Sequence, residues 1–275
     1  MFTTAALMIR TNRCRTNASF IFALMSSAIY NQILGASAKG KKQFAILIDP
    51  DKLSKTQLLN TIQLAVENRV DYFFVGGSLL LNNQLNEFVA LIKESCNIPV
   101  ILFPGSNTQI CDKADAIFFL SLISGRNADL LIGQHVIAAP NLRASNLEVI
   151  STGYMLVNGG VPTAVSYMSN TTPIPNDKNN IAACTAMAGE MLGMKLIYMD
   201  AGSGARQCIT PDMINAVRKN ISLPIVVGGG ITSAEKAIEA CNAGADIIVV
   251  GNAIEKDATL ISSIADAIKN VAQVS

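Results

Sequence analysis

Two short runs near the C-terminus constrain the fold of this chain more than any other stretch. Ile225-Val226-Val227 leads into Gly228-Gly229-Gly230-Ile231, and Ile247-Ile248-Val249-Val250 leads into Gly251-Asn252. Each is a run of β-branched residues with no polar alternation, the pattern of a strand buried on both faces. The glycines that end each run let backbone N–H groups approach an anion with no side chain in the way. Helical patterns follow, over Ser233 to Ala243 and Glu255 to Val271, so helix N-termini can face the same anion. Two consecutive strand–glycine–helix units near a C-terminus match the phosphate cup after strands 7 and 8 of a (β/α)8, or TIM, barrel. The alternative is that the glycines only make tight turns.

The rest of the chain supports a barrel. Strand candidates recur at Phe44–Ile48, Tyr72–Val75, Val100–Phe103, Ala116–Leu120, Glu148–Val157 and Lys195–Met199, ahead of the two runs above. Amphipathic stretches separate most of them, at Thr56–Asn68, Asn83–Ser95, Ala128–Ala139, Ile181–Leu192 and Pro211–Asn220. Eight strands in βα alternation predict an α/β fold with a parallel sheet. The chain's 275 residues suit one such domain. The third connection, Gly105 to Asp115, leaves room for little more than one helical turn, so its helix is expected to be short or missing. No linker divides the chain after residue 45, and residues 25–275 are read as a single catalytic barrel domain.

Residues 1–24 differ in character from the barrel region. They carry Arg10, Arg13 and Arg15 and a short apolar stretch from Ala18 to Met25. A signal peptide is one reading. The favoured one is an N-terminal extension outside the working protein, with Met25 as the working start, because the remainder reads as cytosolic. Six cysteines (Cys14, Cys96, Cys111, Cys184, Cys208, Cys241) show no CxxC spacing and read as reduced thiols. His135 is the single histidine, which argues against a His-built metal centre or triad. It lies on a predicted helix and reads as a packing or interface residue, as does the stripe Met187, Met191, Met194. A net charge of +1 and no basic run exclude general attraction to nucleic acid. No apolar run is long enough to span a membrane. Half the residues are apolar, enough for a core with some left for a ligand groove or subunit interface.

Active sites of such barrels lie at the C-terminal ends of the strands. There stand Asp49-Pro50-Asp51-Lys52, Gly76-Gly77-Ser78, Pro104-Gly105-Ser106, Ser121 to Asn127, and Asp200-Ala201-Gly202-Ser203-Gly204. Asp49 with the Ser78 hydroxyl suits Mg²⁺, which takes hard oxygens and keeps several waters; equally, Asp49 can be a turn or capping residue before Pro50. Asp200 can accept a hydrogen bond from a substrate hydroxyl and act as a base, or cap the Gly202–Gly204 amides. Tyr198 shares its sheet face with Asp200 and either reaches a ligand or is core. A branched side chain at Gly229 is expected to abolish anion binding and leave the fold intact.

Taken together, Leu47-Ile48-Asp49-Pro50-Asp51-Lys52, Val75-Gly76-Gly77-Ser78, Phe103-Pro104-Gly105-Ser106, Leu120 to Asn127, Tyr198-Met199-Asp200-Ala201-Gly202-Ser203-Gly204-Ala205 and Val227 to Ile231 resemble the geranylgeranylglyceryl phosphate synthases. The branch resembled is the one with archaeal and Bacteroidetes members, and the likeness covers about residues 27–272. It implies transfer of a long all-trans polyprenyl group, geranylgeranyl or longer, from its diphosphate to the free hydroxyl of sn-glycerol 1-phosphate, an ether bond made in lipid biosynthesis. It implies a Mg²⁺ cofactor on Asp49 and Ser78. It places glycerol phosphate on Tyr198, Met199, Asp200, Ala201, Gly202, Ser203, Gly204, Gly229, Gly230, Gly251 and Asn252, with Asp200 and Asp49 catalytic. Many members carry Glu where this chain has Asp200, so the reach to the glycerol hydroxyl is one methylene shorter. Holding a neutral alcohol in line with C1 then matters more than deprotonating it deeply. The resemblance also implies a cytoplasmic homodimer or homohexamer in transient contact with a membrane.

Two other readings compete. A sugar-phosphate aldolase needs a lysine at a strand's C-terminal end inside the barrel, whereas Lys195 begins its strand and Lys52 lies in a loop. A prenyl-lipid carrier needs neither the paired cup nor Asp49.

Overall fold

A computed structural model describes residues 28–271; the N-terminal extension of residues 1–24 lies outside them. Eight parallel strands close into a barrel in sequential order: β1 Gln43–Ile48, β2 Tyr72–Val75, β3 Val100–Leu102, β4 Ala116–Leu122, β5 Glu148–Leu156, β6 Leu196–Asp200, β7 Ile225–Gly228 and β8 Ile247–Val250. Closure is made where β1 pairs with β8, Phe44 opposite Ile248 and Ile46 opposite Val250. The α-helices are α1 Ala28–Ser37, α2 Lys55–Glu67, α3 Leu85–Ser95, α4 Gln134–Ala144, α5 Ala164–Met168, α6 Asn179–Met191, α7 Pro211–Arg218, α8 Ala234–Asn242, α9 Asn252–Lys256 and α10 Leu260–Val271. The expected strands and the TIM-barrel class are both present.

Alternation along the strands makes two cores. Outward residues such as Ile46, Phe73, Ile117, Met199 and Ile248 pack against the helices. Inward residues Phe74, Phe118, Tyr154, Tyr198 and Val226 fill the barrel. Ile29 and Ile33 of α1 join that inner core from below. Glu148 at the start of β5 accepts hydrogen bonds from the Ile29 and Tyr30 amides, 2.7 and 2.9 Å. A carboxylate on the free amides of a helix N-terminus is favourable, and it fixes α1 as the floor of the barrel.

One departure from the sequence reading and one expected gap position the site. The pattern from Glu255 to Val271 is not one helix. It divides into α9 and α10 because Asp257 Oδ1 takes the Thr259 amide and hydroxyl, an Asx turn that competes with helix. The helix at the second glycine end is therefore short. The third connection contains no helix at all between Leu102 and Ala116, as its length predicted. The β3–β4 seam is also brief, with Ile101 opposite Ala116 and Leu102 opposite Ile117.

Candidate active site

The C-terminal strand ends enclose a cavity of about 660 Å³, within the size range of small-molecule sites. Asp49, Lys52, Gly77, Ser78, Tyr198, Asp200, Gly202, Ser203, Gly204, Gly229, Gly230, Gly251 and Asn252 all border it. Met199 and Ala201 do not. Their side chains are fully buried in the outer core, because strand alternation turns them away from the side that Tyr198 and Asp200 face. The Ala201 amide is already bonded to Gly228 O at 3.1 Å. Only main-chain contact is open to these two.

The cup is built around Asp200. Its Oδ1 accepts the Gly202 amide at 2.7 Å and its Oδ2 accepts the Tyr154 hydroxyl at 2.7 Å. The capping alternative is realised at the Gly202 amide, and the same carboxylate borders the cavity, where a ligand hydroxyl can reach it. Each oxygen retains a second lone pair for a ligand. Burial pushes the Asp200 carboxyl above its usual range, opposed by the Tyr154 and Gly202 hydrogen bonds. Burial, with the Asp200 charge beside it, drives the Tyr154 hydroxyl far up, so Tyr154 is a proton donor in the hydrogen bond and stays neutral. Tyr154 escaped the sequence reading. It stands opposite Tyr198 in the β5–β6 register and reaches diagonally, two positions along, to Asp200.

Gly229 presses into this turn. A Cβ there would stand 2.7 Å from the Ala201 nitrogen and 2.8 Å from Asp200 Oδ1, at φ +82°. The expectation that a branched residue at Gly229 leaves the fold intact is therefore corrected: backbone and the key carboxylate would have to move. Tyr198 is core in the stricter sense, 1% exposed and stacked on Phe103 with centroids 5.0 Å apart. It forms the aromatic floor of the cavity.

Across the mouth, Asp49 serves the turn and the cavity at once. Oδ1 accepts the Asp51 amide at 3.1 Å, while Oδ2 faces Lys52 Nζ at 3.1 Å. Gly77 lies flat against it; a Cβ at Gly77 would meet Oδ2 at 3.2 Å. Ser78 follows Gly77 on the cavity wall. Among the described residues no cluster of three or more His, Cys, Asp or Glu could hold a metal alone. One carboxylate and one hydroxyl fit a hard cation that takes its other oxygens from water and substrate. Lys52, set aside in the sequence as a loop residue, stands here too, 3.0 Å from Asn252 Oδ1 and 3.2 Å from Ser203 Oγ.

From the mouth the cavity continues over Phe103 and Ile110 and along the outer side of β4. There Ile117 and Phe119 line it together with Ala138 and Leu142 of α4. This trough occupies the side where no helix crosses. The segment entering α4 is a π-helical turn, Asp129–Gly133. His135 borders the trough as a packing residue, edge-on to Phe119 at 4.3 Å and paired with Ser121 Oγ at 3.1 Å. Burial pushes its imidazole down, toward the neutral form.

The PcrB family model matches residues 38–274. The chain is 58% identical over 250 residues to a geranylgeranylglyceryl phosphate synthase of Chitinophaga pinensis, covering 91% of this chain and 99% of that one. It is 43% identical over 217 residues to the synthase of that name from Thermococcus kodakarensis, covering 78% and 85%. Its fold superimposes with a TM-score of 0.83 and 30% identity on the crystal structure of (S)-3-O-geranylgeranylglyceryl phosphate synthase from Thermoplasma acidophilum in complex with substrate sn-glycerol-1-phosphate, over 88% of this chain and 98% of that one.

Proposed function

The chain belongs to the PcrB family and is a prenyltransferase of the geranylgeranylglyceryl phosphate synthase type, and from that premise we propose that it joins sn-glycerol 1-phosphate to a geranylgeranyl or longer all-trans polyprenyl diphosphate, in ether-lipid biosynthesis. One observation carries this reading. A single cavity holds, side by side, a glycine-lined polar end at Asp200, Ser203, Gly229 and Asn252 and an apolar trough ending at Ala138 and Leu142. A substrate pair with one small anion and one long apolar chain fills both ends; a sugar phosphate fills only the first.

In this reading the Gly202–Gly204, Gly229–Gly230 and Gly251–Asn252 turns receive the phosphate, and Tyr198 floors the cup. Asp200 accepts the hydrogen bond of the free glycerol hydroxyl, held rigid by Tyr154 and the Gly202 amide. The hydroxyl oxygen attacks C1 of the prenyl group. The C–O ether bond forms as the bond from C1 to the diphosphate oxygen breaks, its electron pair departs with diphosphate, and the hydroxyl proton passes to Asp200. A carboxyl pushed up by burial is a better proton acceptor near neutrality than an ordinary one. Positioning supplies much of the rate, since the nucleophile is fixed against C1 in a site closed below. Asp49 and Ser78 would hold Mg²⁺, which supplies neutralisation of the charge growing on the leaving diphosphate.

Among the described residues no helix is long and apolar enough to cross a membrane. The exposed apolar side chains Ile132, Val136 and Ile137 beside the trough support contact with another surface. We place the enzyme in the cytoplasm as a homodimer or homohexamer that meets a membrane transiently to release its lipid. The test is mass spectrometry of the products from sn-glycerol 1-phosphate and an equimolar mixture of farnesyl to heptaprenyl diphosphates. A single ether product of geranylgeranyl length or longer is expected, and turnover of the farnesyl donor alone would overturn the assignment.

A further inference from the structure

Lys52 follows Asp49 in a tight turn, its amide bonded to Asp49 O at 3.1 Å. That turn sends the side chain back across the cavity mouth. Its ammonium meets three acceptors from three strand ends: Asp49 Oδ2 after β1 at 3.1 Å, Ser203 Oγ after β6 at 3.2 Å and Asn252 Oδ1 after β8 at 3.0 Å. An ammonium has three protons to give, so these contacts satisfy it. Glu255 Oε2 stands further off, at 3.8 Å. The arrangement is no buried brace. The Lys52 side chain is 41% exposed, and an ion pair so placed holds weakly and releases readily.

Under the proposed function, each of the three near partners of Lys52 is a group that a ligand needs. Asp49 is the carboxylate on which a divalent cation would sit, and Ser203 and Asn252 rim the phosphate cup. We propose that Lys52 is a shared counter-ion of the mouth that couples the two sites. With no ligand it neutralises Asp49. When a divalent cation takes Asp49, the ammonium is repelled from it and swings wholly to the phosphate held at Ser203 and Asn252. Each ligand thereby relieves a contact that opposes the other, so cation and glycerol phosphate bind with positive coupling. Such coupling is reciprocal by thermodynamic necessity. This role rests on the proposed function and assigns Lys52 as a positioning residue for the phosphate.

Calorimetric titration of sn-glycerol 1-phosphate into the full chain, over a series of MgCl2 concentrations, tests it without turnover. In the wild type, affinity should rise with MgCl2 by about fivefold or more, the lower range of such couplings. Lys52→Met keeps an unbranched apolar stem as far as Cε and removes the charged head. It should bind glycerol phosphate about ten- to a hundredfold more weakly at saturating MgCl2, the scale of one charge-assisted hydrogen bond, and with little remaining dependence on MgCl2. Metal affinity in the absence of glycerol phosphate should rise in this variant, because the competing ammonium is gone. Lys52→Arg should retain much of the coupling. A Lys52→Met variant with wild-type affinity and wild-type MgCl2 dependence would overturn the inference and leave the proposed function standing. If Lys52→Met fails to fold, Lys52→Gln reads the same quantities; failure of both to fold would make Lys52 a structural brace and also overturn it. A wild-type chain that binds no glycerol phosphate at any MgCl2 concentration would overturn the proposed function, and the inference with it.

Discussion

Tyr154→Phe removes one oxygen atom from beneath the reacting end of the site and leaves the ring in place against Phe103 and Tyr198. That oxygen donates to Asp200 Oδ2 at 2.7 Å, and both residues are buried. A hydrogen bond to a buried charged group contributes about 1.5–3 kcal/mol. It stabilises the ionised carboxylate and is lost in the variant, while the Gly202 amide remains. Burial already pushes the Asp200 carboxyl up, and Tyr154 is the larger of the two hydrogen bonds that hold it down; without it the carboxyl moves further up. Asp200 then stays protonated to higher pH, where it cannot accept the hydroxyl proton. The acid limb of kcat/KM should shift upward, with activity on that limb falling about ten- to a hundredfold, the same energy read as a rate. Stability carries the same sign. A carboxyl whose folded value lies above its unfolded one binds its proton more tightly in the native state. Stability is then fullest below the unfolded value and is lost as pH rises through the folded one. The window widens in Tyr154→Phe, so the Tm gap between variant and wild type should grow from acid toward neutral pH. Initial rates and thermal melts over a pH series decide the matter. An acid limb that stays put, or moves down, would show that Tyr154 does not tune Asp200.

Asp49→Asn should lower kcat by about a hundredfold or more, the scale of one main contact to developing charge, without weakening glycerol phosphate binding; turnover above about a tenth of wild type at saturating MgCl2 would make Asp49 a turn residue only. Gly229→Val should lower Tm and abolish glycerol phosphate binding together. Gly204→Ala offers a cleaner probe, since its Cβ would meet only Asn252 Nδ2, at 3.7 Å; it should cost about 1–2 kcal/mol for the left-handed backbone and weaken binding in calorimetry with the barrel intact. Ala138→Phe places a ring in the far part of the trough and should shift the mass-spectrometric product profile toward shorter prenyl chains, with glycerol phosphate affinity unchanged.

Most strands were legible because they are nearly uninterrupted apolar runs, the expected signature of burial between barrel interior and helices; β5, with Glu148, Ser151 and Thr152, is the exception. The two glycine ends could likewise be placed at the cavity mouth, since both follow buried strands in the expected chain order. The split at Asp257–Thr259 was readable in principle, as an acidic residue two before a threonine is a turn signal, but the surrounding apolar period masked it. The five-residue α5 has no period to detect; its capping box, Thr163 with Ser166, is the one local sign. Tyr154 and Lys52 were hidden for a different reason. Tyr154 meets Asp200 through strand register, and Lys52 meets Ser203 and Asn252 across roughly 150 and 200 residues of chain. Such contacts arise from barrel closure. Asp49 stayed ambiguous because its two oxygens do two different things.

The helix-free connection between β3 and β4 gives a bound prenyl chain a second part to play. Everywhere else around the barrel a helix shields the strands, and here a prenyl chain lying in the trough would take that helix's place. Its methyls and methylenes would lie against the half-buried Phe119, each buried CH₂ contributing about 0.8 kcal/mol. The substrate would then act as a temporary piece of the hydrophobic core. Amide hydrogens of the short β3–β4 seam would exchange more slowly once the donor is loaded. Departure of the ether product would return that flank to its looser state, linking each catalytic cycle to a tightening and slackening of one wall of the barrel.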